Sequence, residues 1–323
     1  MREIAILITS IFTIFALTAC SAKESKPINK LNDDKLQIYT TVYPLTYFTE
    51  EIGKQYVDVK SIYPSGIDEH TFEPTQKDMI SIADADLFFY IGLDLEAFVP
   101  KAAQSLKNEN VEFLAVAEKL SLPEWGDHDE DELHGEEEHE ADHGHEHGLY
   151  NPHVWLDPIY SIELAREIKT ELAKQIPAQK DFFEENFQAL AEKLTLLNEA
   201  YKAGTADTEN RSFLVTHDAF SYWEDRYDIE QLSIIGSSTV EEPSPKQLKN
   251  LIDVVNEKKL RYILVEQNVN KKFAETISKE TGAMILPIHN MGTLSEDEIK
   301  QGADYFSIAY ENLDALQTAL KNE

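Results

Sequence analysis

Cysteine is nearly missing from this chain: Cys20 is the one example in 323 residues, so no internal disulfide can form. Basic residues are scarce too, 29 lysines and arginines against 60 aspartates and glutamates, for a net charge of -31. So acidic a surface repels phosphate backbones and anionic lipid, which disfavours nucleic-acid binding, and it mildly attracts cations. The single H-E-x-x-H string, "HEADH" at 139–143, falls in an acidic run without apolar helical periodicity, so it does not read as the amphipathic helix that metalloproteases use. No internal repeat is visible either. The apolar stretch at 4–17 is short for a membrane span.

What is there begins with that stretch. "MREIAILITSIFTIFALTAC" combines an early arginine, an apolar run and a small-residue ending, the build of a secretory signal. Its Leu17-Thr18-Ala19-Cys20 ending resembles the bacterial lipoprotein box, which implies lipidation of Cys20 after cleavage. Residues 21–34, "SAKESKPINKLNDD", are polar and aperiodic, a tether with a reach of roughly 20 Å. The chain is expected to work on the outer face of a cell membrane.

An apolar share of 42% suits a packed globular protein, and the length suits two domains. Short apolar runs at 36–43, 57–64, 85–92 and 111–117 read as strands of a parallel sheet covered on both faces. A second set follows at 212–216, 231–236, 261–267 and 284–288. Between the sets, "DFFEENFQALAEKLTLLNEAY" places Phe183, Phe187, Leu190, Leu194 and Leu197 at helical spacing. The expected architecture is α/β: two lobes, each a mainly parallel sheet flanked by helices, joined by one long linking helix. The N-terminal lobe covers 35–180, the linking helix 181–204 and the C-terminal lobe 205–323, with "KAGTADTENR" (202–211) read as a loop. Ser244-Pro245 with Gln247, and Ser295 with Glu298, are helix-start signals.

Histidine falls into two groups. Residues 127–148 carry six histidines and eleven carboxylates without one lysine or arginine. Such a tract reads as a solvated surface loop without a packed fold. It can still bind metal weakly, with His139, His143, His145 and His147 as the ligands. Ordering ten of its residues costs on the order of 10 kcal/mol. That is close to the roughly 10–16 kcal/mol that a structural zinc site provides.

His70, His153 and His217 belong to the other group. Each sits in a loop where α/β proteins keep ligands, past the carboxyl ends of strands. Singly, each reads as a polar loop residue. Together they form a constellation with adjacent carboxylates or amides, Glu69, Asn151 and Asp218, able to fix imidazole tautomers.

The segments "GIDEHTFEPTQKDM", "NPHVWLDP" and "THDAFSYW" resemble the signature segments of the zinc-binding solute-binding lipoproteins of bacterial ABC importers. The similarity runs from about Lys35 to the C-terminus. It implies a non-enzymatic receptor that holds Zn²⁺ on His70, His153 and His217 and delivers it to an ABC permease with its cytoplasmic ATPase. A monomer is expected. Manganese-binding relatives carry a glutamate where His217 stands and lack the histidine-rich tract, so zinc is implied here. Nitrogen donors suit Zn²⁺, whereas manganese prefers oxygen.

Several relatives also carry a glutamate in a late segment like "HNMGTLSED", where this chain has Gly292 or Thr293. The fourth position therefore falls to Glu69, with water, His289 and Glu266 as alternatives. For His289 and Glu266 structural roles are expected. The rival functions are a secreted zinc hydrolase with an open metal position and a metal-stabilised surface adhesin.

Overall fold

The computed structural model describes residues 35–123, 150–236 and 242–322. The signal 1–20 with Cys20, the tether 21–34, and the tract 127–148 with His139, His143, His145 and His147 lie outside the described residues.

The first lobe runs β1 (Leu36–Thr40), α1 (Tyr43–Gly53), β2 (Val57–Ser61), α2 (Gln76–Ala83), β3 (Leu87–Tyr90), α3 (Val99–Ser105) and β4 (Glu112–Ala115). Two long helices follow, α4 (Pro158–Gln175) and α5 (Lys180–Ala206). The second lobe runs β5 (Ser212–His217), α6 (Tyr222–Tyr227), β6 (Glu230–Ile235), α7 (Pro245–Glu257), β7 (Tyr262–Glu266), α8 (Lys272–Thr281) and β8 (Met284–Ile288). It ends with α9 (Glu296–Gln301) and α10 (Tyr305–Lys321).

Both sheets are parallel and repeat one order, β2-β1-β3-β4 and β6-β5-β7-β8. The sequence shows no such repeat, because strand order depends on crossovers and not on side-chain identity. In each lobe the order reverses beside the first strand. That reversal opens a crevice at the carboxyl ends of the strands. β5 ends in His217 and its neighbour β7 ends in Glu266, so both reach this crevice in the second lobe.

The eight strands fall where the apolar runs predict, most with trimmed ends, while β5 runs one residue further and β6 starts one residue earlier. The run at 36–43 stops at Thr40 because Pro44, in the first turn of α1, presets helical φ. α5 starts one residue before the expected linking helix and ends two residues after it. The expected loop therefore contributes its first five residues, 202–206, to the last helical turns. Alanine and lysine favour helix there, and Gly204 lies against α10: a Cβ on it would meet the Gln317 side chain at 2.0 Å. Thr75 and Asp78 close a capping box at α2, and the signals at Ser244 and Ser295 cap α7 and α9.

Phe183, Phe187, Leu190, Leu194, Leu197 and Tyr201 are buried along α5, which packs on α1 and α4 and then on α6 and α10. Each such side chain contributes about 1.5–3 kcal/mol of apolar burial. One core runs from Leu36 and Phe88 through this stripe to Phe213, Trp223 and Tyr305. The lobes are therefore welded by a shared core. Among the described residues no helix is long and apolar enough to cross a membrane.

Candidate metal centre

Three loops carry the centre. In the first, Asp68 Oδ1 accepts the His70 amide at 3.0 Å and folds the chain back, so that His70 faces the lobe junction. The second is the segment around His153. Its 3-10 turn, Val154–Leu156, is completely apolar and buried, and Asp157 then caps α4 by accepting the amides of Ile159 and Tyr160. Asp157 also holds Arg226 of α6 through two bonds of 2.7 and 3.1 Å. Trp155 Nε1 donates to Asn290 O at 2.7 Å, and Trp223 Nε1 donates to Leu156 O at 2.9 Å. The segment is thus pinned into the second lobe from both sides. The third loop opens at His217, the last residue of β5.

The imidazoles converge. His70 Nε2 lies 3.1 Å from His153 Nε2, and His153 Nε2 lies 3.2 Å from His217 Nε2. All three ligand atoms fall within 4.8 Å of one another. A tetrahedron with 2.0–2.1 Å metal–nitrogen bonds has edges of about 3.3–3.4 Å. Two of the three spacings are therefore close to those of a zinc site.

Tautomers follow from the partners. Asn151 Nδ2 donates to Asp218 O at 3.0 Å and to Ser221 Oγ at 2.7 Å, which turns its Oδ1 toward His153. That oxygen can only accept, so the His153 amide and Nδ1–H both donate to it, at 3.0 and 2.7 Å. On the other ring, the Glu266 carboxylate accepts His217 Nδ1–H at 2.6–2.7 Å. Each Nε2 is left to face the centre with its lone pair when the ring is neutral. Two lone pairs 3.2 Å apart repel unless a proton or a metal ion lies between them.

The environment tunes these groups in opposite directions. Burial pushes His153 well below the usual histidine range, and burial together with His217 pushes His70 down to about 4. Burial also opposes charge on His217, yet the Glu266 carboxylate outweighs it and the pKa rises. Glu69, 2% exposed, is pushed up to about 7 by burial. Neutral imidazoles are the form that binds metal.

The structure thus brings His70, His153 and His217 together. Glu69 is buried at the same junction but is not among the ligand atoms that lie within 4.8 Å of one another; its Oε1 accepts Asn290 Nδ2 at 2.9 Å while Oε2 is buried without a hydrogen-bond partner. Asp218 does not orient His217, since its carboxylate meets Gln231 instead. That task falls to Glu266, which sequence reasoning set aside for a structural role. A charged residue closing the apolar run "RYILVE" was the available signal. His289 lies apart from the cluster, against Gln267, the Met291 amide and Glu298. Asn290 gave no sequence signal for its place beside Glu69, and Gly292 stood out only as one of two positions where relatives carry a glutamate.

A family model described as zinc-uptake complex component A, periplasmic, matches residues 38–319. The zinc-binding lipoprotein AdcA of Streptococcus pneumoniae (TIGR4) is 35% identical over 328 residues, covering 100% of this chain and 62% of that protein. The chain therefore spans about 62% of the length of that relative. The high-affinity zinc uptake system protein ZnuA of Bacillus subtilis is 33% identical over 308 residues, 94% of this chain and 93% of that protein. The Zn(II)-bound ZnuA-like domain of Streptococcus pneumoniae AdcA superposes with a TM-score of 0.73 at 31% identity. That match covers 89% of this chain and 100% of the domain.

Proposed function

The chain belongs to the zinc-uptake complex component A family, and on that premise we propose that it is an extracytoplasmic receptor for Zn²⁺. It captures the ion on His70, His153 and His217 and passes it to an ABC permease driven by a cytoplasmic ATPase. Zinc is cargo here, and no turnover is implied. Lipid on Cys20 would hold the receptor at the membrane face, as the lipoprotein name of the pneumococcal relative supports.

One observation carries the reading: two Nε2–Nε2 edges of 3.1 and 3.2 Å, with the far nitrogens of His153 and His217 fixed by Asn151 and Glu266. Such orientation of ligating imidazoles matters, typically 10–100-fold in metal affinity. Glu69 Oε2 is the fitting fourth donor, because it is buried at the same junction and has no other partner. Charge then balances. The ion's +2 meets one negative charge on Glu69 and one on Glu266, which makes burial of the whole cluster tolerable.

A hydrolase would need an open metal position facing substrate. Here His153, His217 and Glu266 are fully buried, and Glu69 is 2% exposed at the same junction, where it would take the open position. The receptor reading is the better supported.

Zinc titration of the full chain in competition with a chelator of known affinity tests the reading. One tight equivalent is expected, lost in His153→Ala and in His217→Ala. A tight equivalent that survives both substitutions would place the zinc elsewhere.

A further inference from the structure

We propose that Gly292 determines which lobe supplies the oxygen ligand, because the space left by its missing side chain is the space the Glu69 carboxylate occupies. The inference rests on the zinc reading of the site and adds to it a residue that touches no metal. A Cβ on Gly292 would lie 2.7 Å from Glu69 Cδ and 2.8 Å from each of its carboxylate oxygens. No real side chain tolerates that approach, so one of the two residues must yield.

Gly292 is poorly placed to yield. Its amide donates to Asn290 Oδ1 at 3.0 Å, and its carbonyl accepts the Tyr43 amide at 2.8 Å. The preceding residue pair is anchored as well. Asn312 of α10 grips both the amide and the carbonyl of His289, at 2.8 and 2.7 Å, and Asn290 O accepts Trp155 Nε1. Backbone this heavily tied moves less readily than the end of a side chain. The Glu69 carboxylate is what a side chain at 292 would displace.

The same loop also positions the carboxylate. Asn290 uses one amide for both tasks, Oδ1 accepting Gly292 N–H and Nδ2 donating to Glu69 Oε1 at 2.9 Å. One carboxylate oxygen is thereby held and the other, Oε2, is left without a partner in a buried place. A buried carboxylate oxygen without a donor is costly unless a cation completes it. The first lobe then provides three ligands, His70, His153 and Glu69. The second provides His217 and, through Asn290 and Gly292, the cradle.

The test compares Gly292→Ala, Glu69→Gln and the double variant in the full chain, with zinc affinity read by chelator competition. Melting of each zinc-free protein establishes that it is folded. Each single substitution is expected to weaken the tight site about tenfold. The double variant is expected to be no weaker than either single one, since both changes remove the same oxygen. Cobalt(II) in place of zinc supplies a second readout: the visible bands of Gly292→Ala and Glu69→Gln should shift from the parent in the same way. A carboxylate delivered from the other lobe, Gly292→Glu with Glu69→Ala, is expected to bind more tightly than Glu69→Ala alone. Parental affinity in folded Gly292→Ala, additive losses in the double variant, or no gain from the transplanted glutamate would each overturn the proposal. A parent chain without any tight zinc equivalent would instead refute the zinc reading itself, before any variant is compared.

Discussion

The two lobes share one strand order but support their histidines differently. His153, on the first lobe at the junction, is oriented by the neutral amide of Asn151, which reaches across to Asp218 and Ser221. His217, on the second lobe, is oriented by the buried carboxylate of Glu266. One support fixes geometry alone, and the other fixes geometry and adds charge. The two supports divide the work: Asn151 adds geometry only, whereas Glu266 adds geometry and one of the two negative charges that would meet the ion, the other being that of Glu69.

Breaking that comparison at its strongest point means removing a ligand. His153→Ala and His217→Ala should each lower tight zinc affinity by about 100-fold or more, beyond the 10–100-fold usual for an orienting partner. Competition titration measures both. The supports should follow in order. Glu266→Gln removes a charge as well as an orienter, so its loss should be near the upper end, about 100-fold. Asn151→Ala, which removes only an orienter, should cost nearer 10-fold. Equal losses in the two variants would dissolve the division of work between them.

Glu69 sharpens the comparison because its effect should change sign with metal. With zinc, Glu69→Gln should weaken binding. Without zinc, the folded-state pKa of Glu69 is raised by burial to about 7, so the folded protein holds its proton more tightly than the unfolded chain. A raised carboxyl pKa brings a penalty that is absent below the unfolded value and complete above the folded one. The penalty is on the order of 3 kcal/mol. Zinc-free Glu69→Gln should therefore melt higher than the parent at pH 8 and near it at pH 4.5. The same proton must leave for the metal to bind, so tight zinc affinity in the parent should fall as pH drops below 7.

The smallest effect is expected from the other population of histidines. Deleting 127–148 should reduce the number of weak zinc equivalents and leave the tight one unchanged. Loss of the tight site in that deletion would merge the two populations.

Much of this was legible in the chain. Strands declare themselves by local apolar runs, and His70, His153 and His217 by loops at strand ends within recognisable segments. What was not legible depends on contacts between distant residues. Glu69 meets Asn290 across 221 positions, and no local pattern marks a glycine as the space for another residue's carboxylate. Glu266 was hidden differently. It looks like the polar end of a strand, and only the pairing of β7 beside β5 brings it to His217. The last turn of α5, 202–206, was read as loop because its support is a distant one: Gly204 makes room for Gln317 of α10.

X-ray absorption at the zinc edge, on the full chain with one equivalent of zinc, tests the central claim most directly. The expected result is four nitrogen and oxygen neighbours at about 2.0–2.1 Å, with outer-shell scattering from three imidazoles. An oxygen-dominated shell with more than four neighbours, or scattering from a single imidazole, would contradict the claim and move the tight ion away from His70, His153 and His217.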